Sequence, residues 1–308
     1  MKDIKRDWQK YLMLSIPVAL VLLFSYFPMY GVLLAFKKYN TFLGFWESPW
    51  VGMENFIRIF SLPRFARVVT NTLRLNLLQL LLGFPAPILF ALLLNEMRSV
   101  KMMRAVQTVS YLPHFLSTVI IYGIVFQLCA PTTGLLNQIA VAVSDALGRD
   151  SSVLAVYGLP FLTVPSWWMG TYIVSGIWSG IGWGSIIYIA TITGINPELY
   201  EAAEVDGAGR LKKIRHITLP GLKPTIALLL ILNIGGIASI GFEKPWLFVN
   251  PLVQDIGEVI SVYIYNVGLG RGDFSAANVV GLTQSVVNVI LVLTANSIAK
   301  MLGQDGLM

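Results

Sequence analysis

Charge is scarce in this sequence. Only 12% of its 308 residues are Asp, Glu, Lys or Arg, while 56% are hydrophobic. A soluble domain carries about 25% charged residues. The deficit excludes an ordinary water-soluble fold and places the chain among membrane proteins. Cysteine is almost absent too. Cys129 stands alone, which excludes an intrachain disulfide and an oxidised scaffold. The two histidines, His114 and His216, are far apart and lack metal-ligand spacing. No G-x-x-x-x-G-K-[ST] run occurs, so no nucleotide-binding loop is expected in this chain. No nucleophile–base arrangement or paired carboxylate is visible, and no enzyme active site is expected. Repeats of 20–50 residues and low-complexity tracts are also missing. A single membrane domain over 1–308, without a soluble domain, follows as the expectation.

Against these absences stand long apolar runs. A spanning helix needs about 20 mostly apolar residues. Six candidates satisfy this, at 11–36, 68–94, 105–129, 171–194, 222–242 and 276–299, with Trp8, Tyr11, Tyr111, Trp246 and Tyr263 as interfacial anchors. The fold class expected is therefore an all-α integral membrane protein of about six spans. The first run is too long for the apolar core of a signal peptide and lacks a small-x-small cleavage pattern, so it reads as a retained span. Between Ser151 and Pro197 no formal charge occurs. Pro160 and Pro165 break the first half of that stretch, and Ser166-Trp167-Trp168 reads as an interfacial cluster. Residues 150–170 are expected to form a re-entrant or surface-lying helix instead of a seventh span.

The net charge of +6 is not a nucleic-acid footprint, because the basic residues fall in short clusters between apolar runs. It reads as topology. With six spans and both termini cytoplasmic, thirteen Lys and Arg fall on the inner side and eight on the outer, in line with the positive-inside rule. The first outer segment (37–67) is unusually basic and also holds Trp46, Trp50, Phe56 and Phe60. It reads as a partly helical cap.

The densest charged island lies between the fourth and fifth runs. Asn196-Pro197-Glu198 has the form of a helix start, with an N-cap, proline at the first position and an acid in the first turn. Ala202 and Ala203 keep one face slim, Gly207 permits a turn, and Arg210, Lys212, Lys213 and Arg215 sit near inner headgroups. Pro220 and Pro224 are expected to end the segment and restart a helix. Such a loop (195–223) can be a docking element or a solvated connection that only marks topology.

The motif residues Glu201, Ala202, Ala203, Asp206, Gly207, Ala208, Ile217, Leu219 and Pro220 resemble the E-A-A…G…I-x-L-P signature of permease subunits of ABC importers. Ile214 departs from it, standing where an aromatic residue is frequent. Pro28-Met29-Tyr30-Gly31, Ser48-Pro49-Trp50-Val51-Gly52, Gly83-Phe84-Pro85-Ala86-Pro87 and Ser110-Tyr111-Leu112-Pro113-His114-Phe115 resemble maltose-type oligosaccharide permeases lacking a large outer domain. The resemblance covers nearly the whole chain. It implies a type I ABC permease fold with a cytoplasmic coupling helix, in a bacterial cytoplasmic (inner) membrane. It also implies a homologous second permease, two ATPase subunits that bind ATP and Mg, an extracytoplasmic solute-binding protein and an oligosaccharide substrate. No cofactor is expected in this chain.

Polar residues at membrane depth are the candidate pathway. A charge there costs ~2.5–3.5 kcal/mol or more on insertion scales. Arg74, in the second run, either lines a path or snorkels to the outer headgroups. Asn76 and Gln79 share a helical face with Thr72. Asn233 precedes Gly235-Gly236, a pair that permits a helix break or a close crossing. Trp178 and Trp183 lie among Gly180, Gly182 and Gly184, where aromatic faces could stack on sugar rings or simply pack. Gln127, Asn278, Gln284 and Asn288 complete a polar lining, and His114 reads as structural.

Three function classes follow. The first is an ATP-driven permease for a neutral or uronate-type oligosaccharide. The second is an ion-coupled secondary transporter or channel, disfavoured by the shortage of carboxylates in the runs. The third is a membrane enzyme or assembly factor, disfavoured by the missing catalytic set.

Overall fold

A computed structural model describes residues 8–301. Among these residues all regular structure is helical apart from one isolated antiparallel bridge, Lys37 to Trp50. Five helices are long and apolar enough to cross a membrane: α1 (Trp8–Phe36), α4 (Pro63–Asn95), α9 (Pro165–Thr193), α11 (Arg210–Gly235) and α15 (Phe274–Met301). A sixth candidate is a bent pair, α5 (Val100–Phe115) and α6 (Thr118–Leu128). Shorter helices connect them: α2 (Gly44–Glu47), α3 (Glu54–Phe60), α7 (Leu135–Ala146), α8 (Ser152–Tyr157), α10 (Pro197–Val205), α12 (Glu243–Phe248), α13 (Gln254–Gly257) and α14 (Ile260–Gly268).

Proline explains the irregular turns within the long helices. In an α-helix a proline ring clashes with the carbonyl four residues earlier. The residues four before Pro28, Pro85 and Pro220 are Phe24, Leu81 and His216. Each falls inside a π-helical turn, at Leu22–Tyr26, Gln79–Gly83 and Ile214–Thr218. The wider turn moves the offending carbonyl and lets the helix continue. Pro220 and Pro224 therefore do not end the charged segment, as the sequence reading expects. They lie within α11, which already starts at Arg210.

Three span boundaries differ from expectation. The run 105–129 is not one straight helix. It breaks by 108° between Phe115 and Thr118, where Pro113 sits in a tight 3₁₀ turn and Ser117 caps α6. The fourth span begins at Pro165, not 171, because proline is well suited to the first helical position. Residues 150–164 hold the short α8 and a loop. The fifth span ends at Gly235, not 242, and the chain from Gly236 to Phe242 is unwound.

The chain divides into two compact units: Met1–Phe65 with Tyr263–Ser285, and Ala66–Val262 with Val286–Met308. In the first, the connection after α1 is pinned by polar side chains. Asn55 donates to the carbonyls of Ala35 and Lys37 at 2.9 Å each, and Ser275 donates to Lys37 at 2.6 Å. Phe36 stacks on Trp50 at 5.7 Å, and Arg58 pairs with Asp273 at 3.0 Å. The connection is partly helical, as expected.

In the second unit, one core surrounds Trp168, with Leu75, Val125, Tyr172, Phe248, Val253, Val259 and Val262. Trp168 is wholly buried and its indole donates to the Phe248 carbonyl at 2.8 Å. This corrects its reading as an interfacial anchor: the ring is large enough to tie α9 to α12, and its N–H finds a partner there. A second core joins Ala91, Leu92, Tyr188, Ile192 and Leu222, with Ile214 and Leu219 against it. Glycine lets α9 approach its neighbours. A Cβ on Gly182 would lie 2.2 Å from the Ser110 carbonyl oxygen, and one on Gly184 would lie 3.0 Å from Pro87.

Candidate functional site

Two features carry functional geometry. The first is the elbow between α9 and α11. Asn196 accepts a hydrogen bond from the Glu198 amide at 3.0 Å, and Pro197 opens α10. That is the N-cap the sequence requires. Gly207 follows α10 with φ +73°, a left-handed conformation that favours glycine. The elbow is then tied back. Lys213 donates to Glu204 at 2.6 Å, and this bond and charge hold the Glu204 carboxyl below the usual carboxylate range. Tyr200 and Thr218 share a hydroxyl hydrogen bond at 3.0 Å, and Arg210 lies 3.7 Å from Glu96.

Among the motif residues, Glu201, Ala202, Asp206 and Gly207 are exposed, Ala203 and Ile217 are half-buried, and Leu219 packs into the second core. Pro220 is exposed on the first turn after the π-helical stretch. Beside the motif, Leu199, Val205 and Leu211 are exposed, Val205 at 89%. The elbow thus presents a short, capped helix with a slim alanine face and exposed aliphatic side chains.

The second feature is a cavity of about 900 Å³ within the second unit. It is at the upper end of the range for small-molecule sites, roughly 300–1,000 Å³. Asn76, Gln79, Asn233 and Ser239 give it polar groups, and Phe84, Trp183 and Tyr188 give it aromatic faces. Asn76 donates to the carbonyls of Ile237 and Ser239 at 2.6 and 3.1 Å. Those bonds satisfy the backbone that unwinds after Gly235, which is tolerable at membrane depth only where it lines a cavity or is buried in protein. Trp183 stacks on His114, with centroids 4.5 Å apart and planes at 5°.

The sequence-predicted pathway residues separate into two groups. Asn76, Gln79, Trp183 and Asn233 meet in this cavity. Asn288 sits beside it, donating to the Ser239 hydroxyl at 2.6 Å. Arg74 is exposed and is not among the cavity's wall residues, the arrangement that its snorkelling account requires. Gln127 is exposed on α6, away from the wall. Trp178 lines a different, mostly apolar cavity with Cys129 and Trp167, because five residues on a helix rotate it well away from Trp183. Of Gly180, Gly182 and Gly184, the last two serve helix crossings. Sequence reasoning missed Ser239, Tyr188 and Phe84. Only the polar, glycine-containing stretch after Gly235 signals the first.

A helical membrane bundle with a broken helix over a polar and aromatic cavity, and a capped elbow exposed at a helix junction, defines a transport subunit. The chain belongs to the family of binding-protein-dependent transport system inner membrane components, whose model matches residues 83–304. It is thus a multi-pass permease. Protein LplB of Bacillus subtilis is 41% identical over 307 residues, covering 100% of this chain and 93% of that protein. The polygalacturonan/rhamnogalacturonan transport system permease protein YteP of Bacillus subtilis is 43% identical over 306 residues, covering 99% and 92%. A chain of the bacterial alginate ABC transporter, solved in complex with an alginate pentasaccharide-bound periplasmic protein, superposes with a TM-score of 0.87 at 41% identity, covering 99% of each chain.

Proposed function

We propose that this chain forms half of the translocation pathway of an ATP-driven importer of uronate-type oligosaccharides. The observation that carries the reading is the elbow. Its capped α10, left-handed Gly207 and exposed aliphatic residues suit the seat of a separate motor protein, and this sequence has no nucleotide-binding loop of its own. The partners are then a homologous second permease, two ATPase subunits that bind ATP and Mg, a solute-binding protein and membrane lipid. The elbow and both termini face the cytoplasm. From Trp8 to Tyr30 every residue of α1 is exposed, which leaves that apolar surface for lipid or the second permease.

The acidic substrate class is supported by the names of two relatives, one a polygalacturonan/rhamnogalacturonan permease and the other an alginate transporter. Both are polymers of sugar carboxylates. The aromatic and amide-lined cavity suits sugar rings, whose faces stack and whose hydroxyls take hydrogen bonds.

The test is uptake of labelled trigalacturonate into proteoliposomes that hold the full complex, with solute-binding protein outside and ATP inside. ATP-dependent accumulation is expected. Uptake that ignores ATP and follows an ion gradient would overturn the reading in favour of a secondary transporter. ATP-driven uptake of neutral oligosaccharides alone would overturn the uronate assignment.

A further inference from the structure

Lys244 brings a cation to the edge of the pathway without an anion to balance it. Its ammonium donates to the Tyr172 carbonyl at 2.7 Å and stands 4.1 Å from the centre of the Tyr172 ring. Among the described residues no carboxylate reaches ion-pair distance of it. Neighbouring Glu243 is exposed. Lys244 is half-buried, so its ammonium has lost part of its water. One of its three N–H donors is used on Tyr172, leaving two.

Its position is a junction. Lys244 lines a side cavity of about 250 Å³ with Asn76, Gln79, Gly176 and Ser239, and another of about 280 Å³ with His114 and Ser179. Asn76, Gln79 and Ser239 also line the 900 Å³ cavity, so the first side cavity adjoins it across those residues. The Gln79 side chain makes no hydrogen bond among the described residues. Gly176 makes the room for both groups: a Cβ there would lie 2.5 Å from Lys244 Nζ and 3.1 Å from Gln79 Oε1. A cation and an amide converge on one small space, against an aromatic wall.

We propose that Lys244 and Gln79 form a carboxylate subsite in the permease, which holds a uronate group of the substrate during passage. The inference rests on the uronate reading above. The carboxylate would replace the water the ammonium has lost, through a charge-assisted hydrogen bond. The Gln79 Oε1, which faces the same space, would accept a hydrogen bond from a hydroxyl of the same sugar ring. A neutral sugar of the same shape keeps the hydroxyl bond but gains no charge-assisted bond to Lys244, so the subsite adds discrimination to whatever the solute-binding protein supplies.

The experiment compares uptake of trigalacturonate with uptake of its methyl ester, whose shape is similar and whose charge is absent. The full complex is reconstituted, with the binding protein saturated by either compound. The acid-to-ester uptake ratio is expected to fall about tenfold in Lys244→Gln, from the loss of one hydrogen bond to a charged group. Lys244→Arg is expected to restore most of it. Gly176→Ala, whose methyl occupies the shared space, is expected to lower the ratio too, and stands in if Lys244→Gln fails to assemble. A ratio unchanged from the wild type in an assembled variant would overturn the subsite. A wild-type complex that imports neither compound would overturn the uronate reading, and the subsite with it.

Discussion

Replacing Gly207 with valine tests the elbow most directly. Gly207 has φ +73°, and a Cβ built there meets nothing within 4 Å. The cost of a side chain is therefore conformational and local, with no clash to propagate into the bundle. A non-glycine residue in the left-handed region costs about 1–2 kcal/mol, and a β-branched one is at the unfavourable end. If that cost falls on the seated form of the elbow, its population drops roughly 5- to 30-fold. Asparagine tolerates the left-handed region, so Gly207→Asn keeps the charge and the turn with little strain. The assay is transported substrate per ATP hydrolysed in proteoliposomes, alongside membrane insertion of the permease. The expected order is wild type, then Asn, then Val, with insertion equal in all three. Equal coupling in the Val and Asn variants would refute the argument from backbone conformation. Normal coupling in the Val variant would remove the elbow from the mechanism.

Gly182→Ala sets a methyl 2.2 Å from a backbone oxygen and should cost about 1–3 kcal/mol, whereas Gly180→Ala meets open space and should not; thermal melting of the purified complex separates them. Trp183→Ala removes an aromatic face from the cavity and should lower uptake severalfold at fixed substrate, while Trp178→Ala, on another surface, should leave it within twofold of wild type; initial rates of uptake decide. Arg74→Leu should leave uptake unchanged, since the side chain is exposed away from the cavity wall; a severalfold loss would return Arg74 to the pathway.

Apolar run length pointed to the five long helices in their order, because burying a backbone in lipid demands whole helices, while the third run proved to be a bent pair. The start of α10 was legible for a local reason: an Asn-Pro-Glu sequence satisfies its own first amides. The bend between α5 and α6 was not, since Pro113 signals a break but not its angle of 108°, which depends on what each half packs against. The π turns were hidden too. A proline inside an apolar run reads as a stop, and only the packing on either side shows that a widened turn carries the helix through. Within the cavity, spacing along α4 placed Asn76 and Gln79 together. It could not place Lys244 beside them, because that meeting depends on how the unwound chain after Gly235 folds back. Trp178 and Trp183 looked equivalent by composition. Five residues of helical rotation separate them, and the sequence does not say which face is inward.

The crossing at Gly182 has a mechanical consequence. α9 is packed through its glycines against α5 and the second half of α4, and α10 follows it after only three residues. Under the proposed function, a push on α10 is received by a clamped block of three helical segments, not by one rod free to slide. Bending is left to the chain where it is already slack: the kink after Phe115 and the uncoiled stretch beyond Gly235, which borders the cavity.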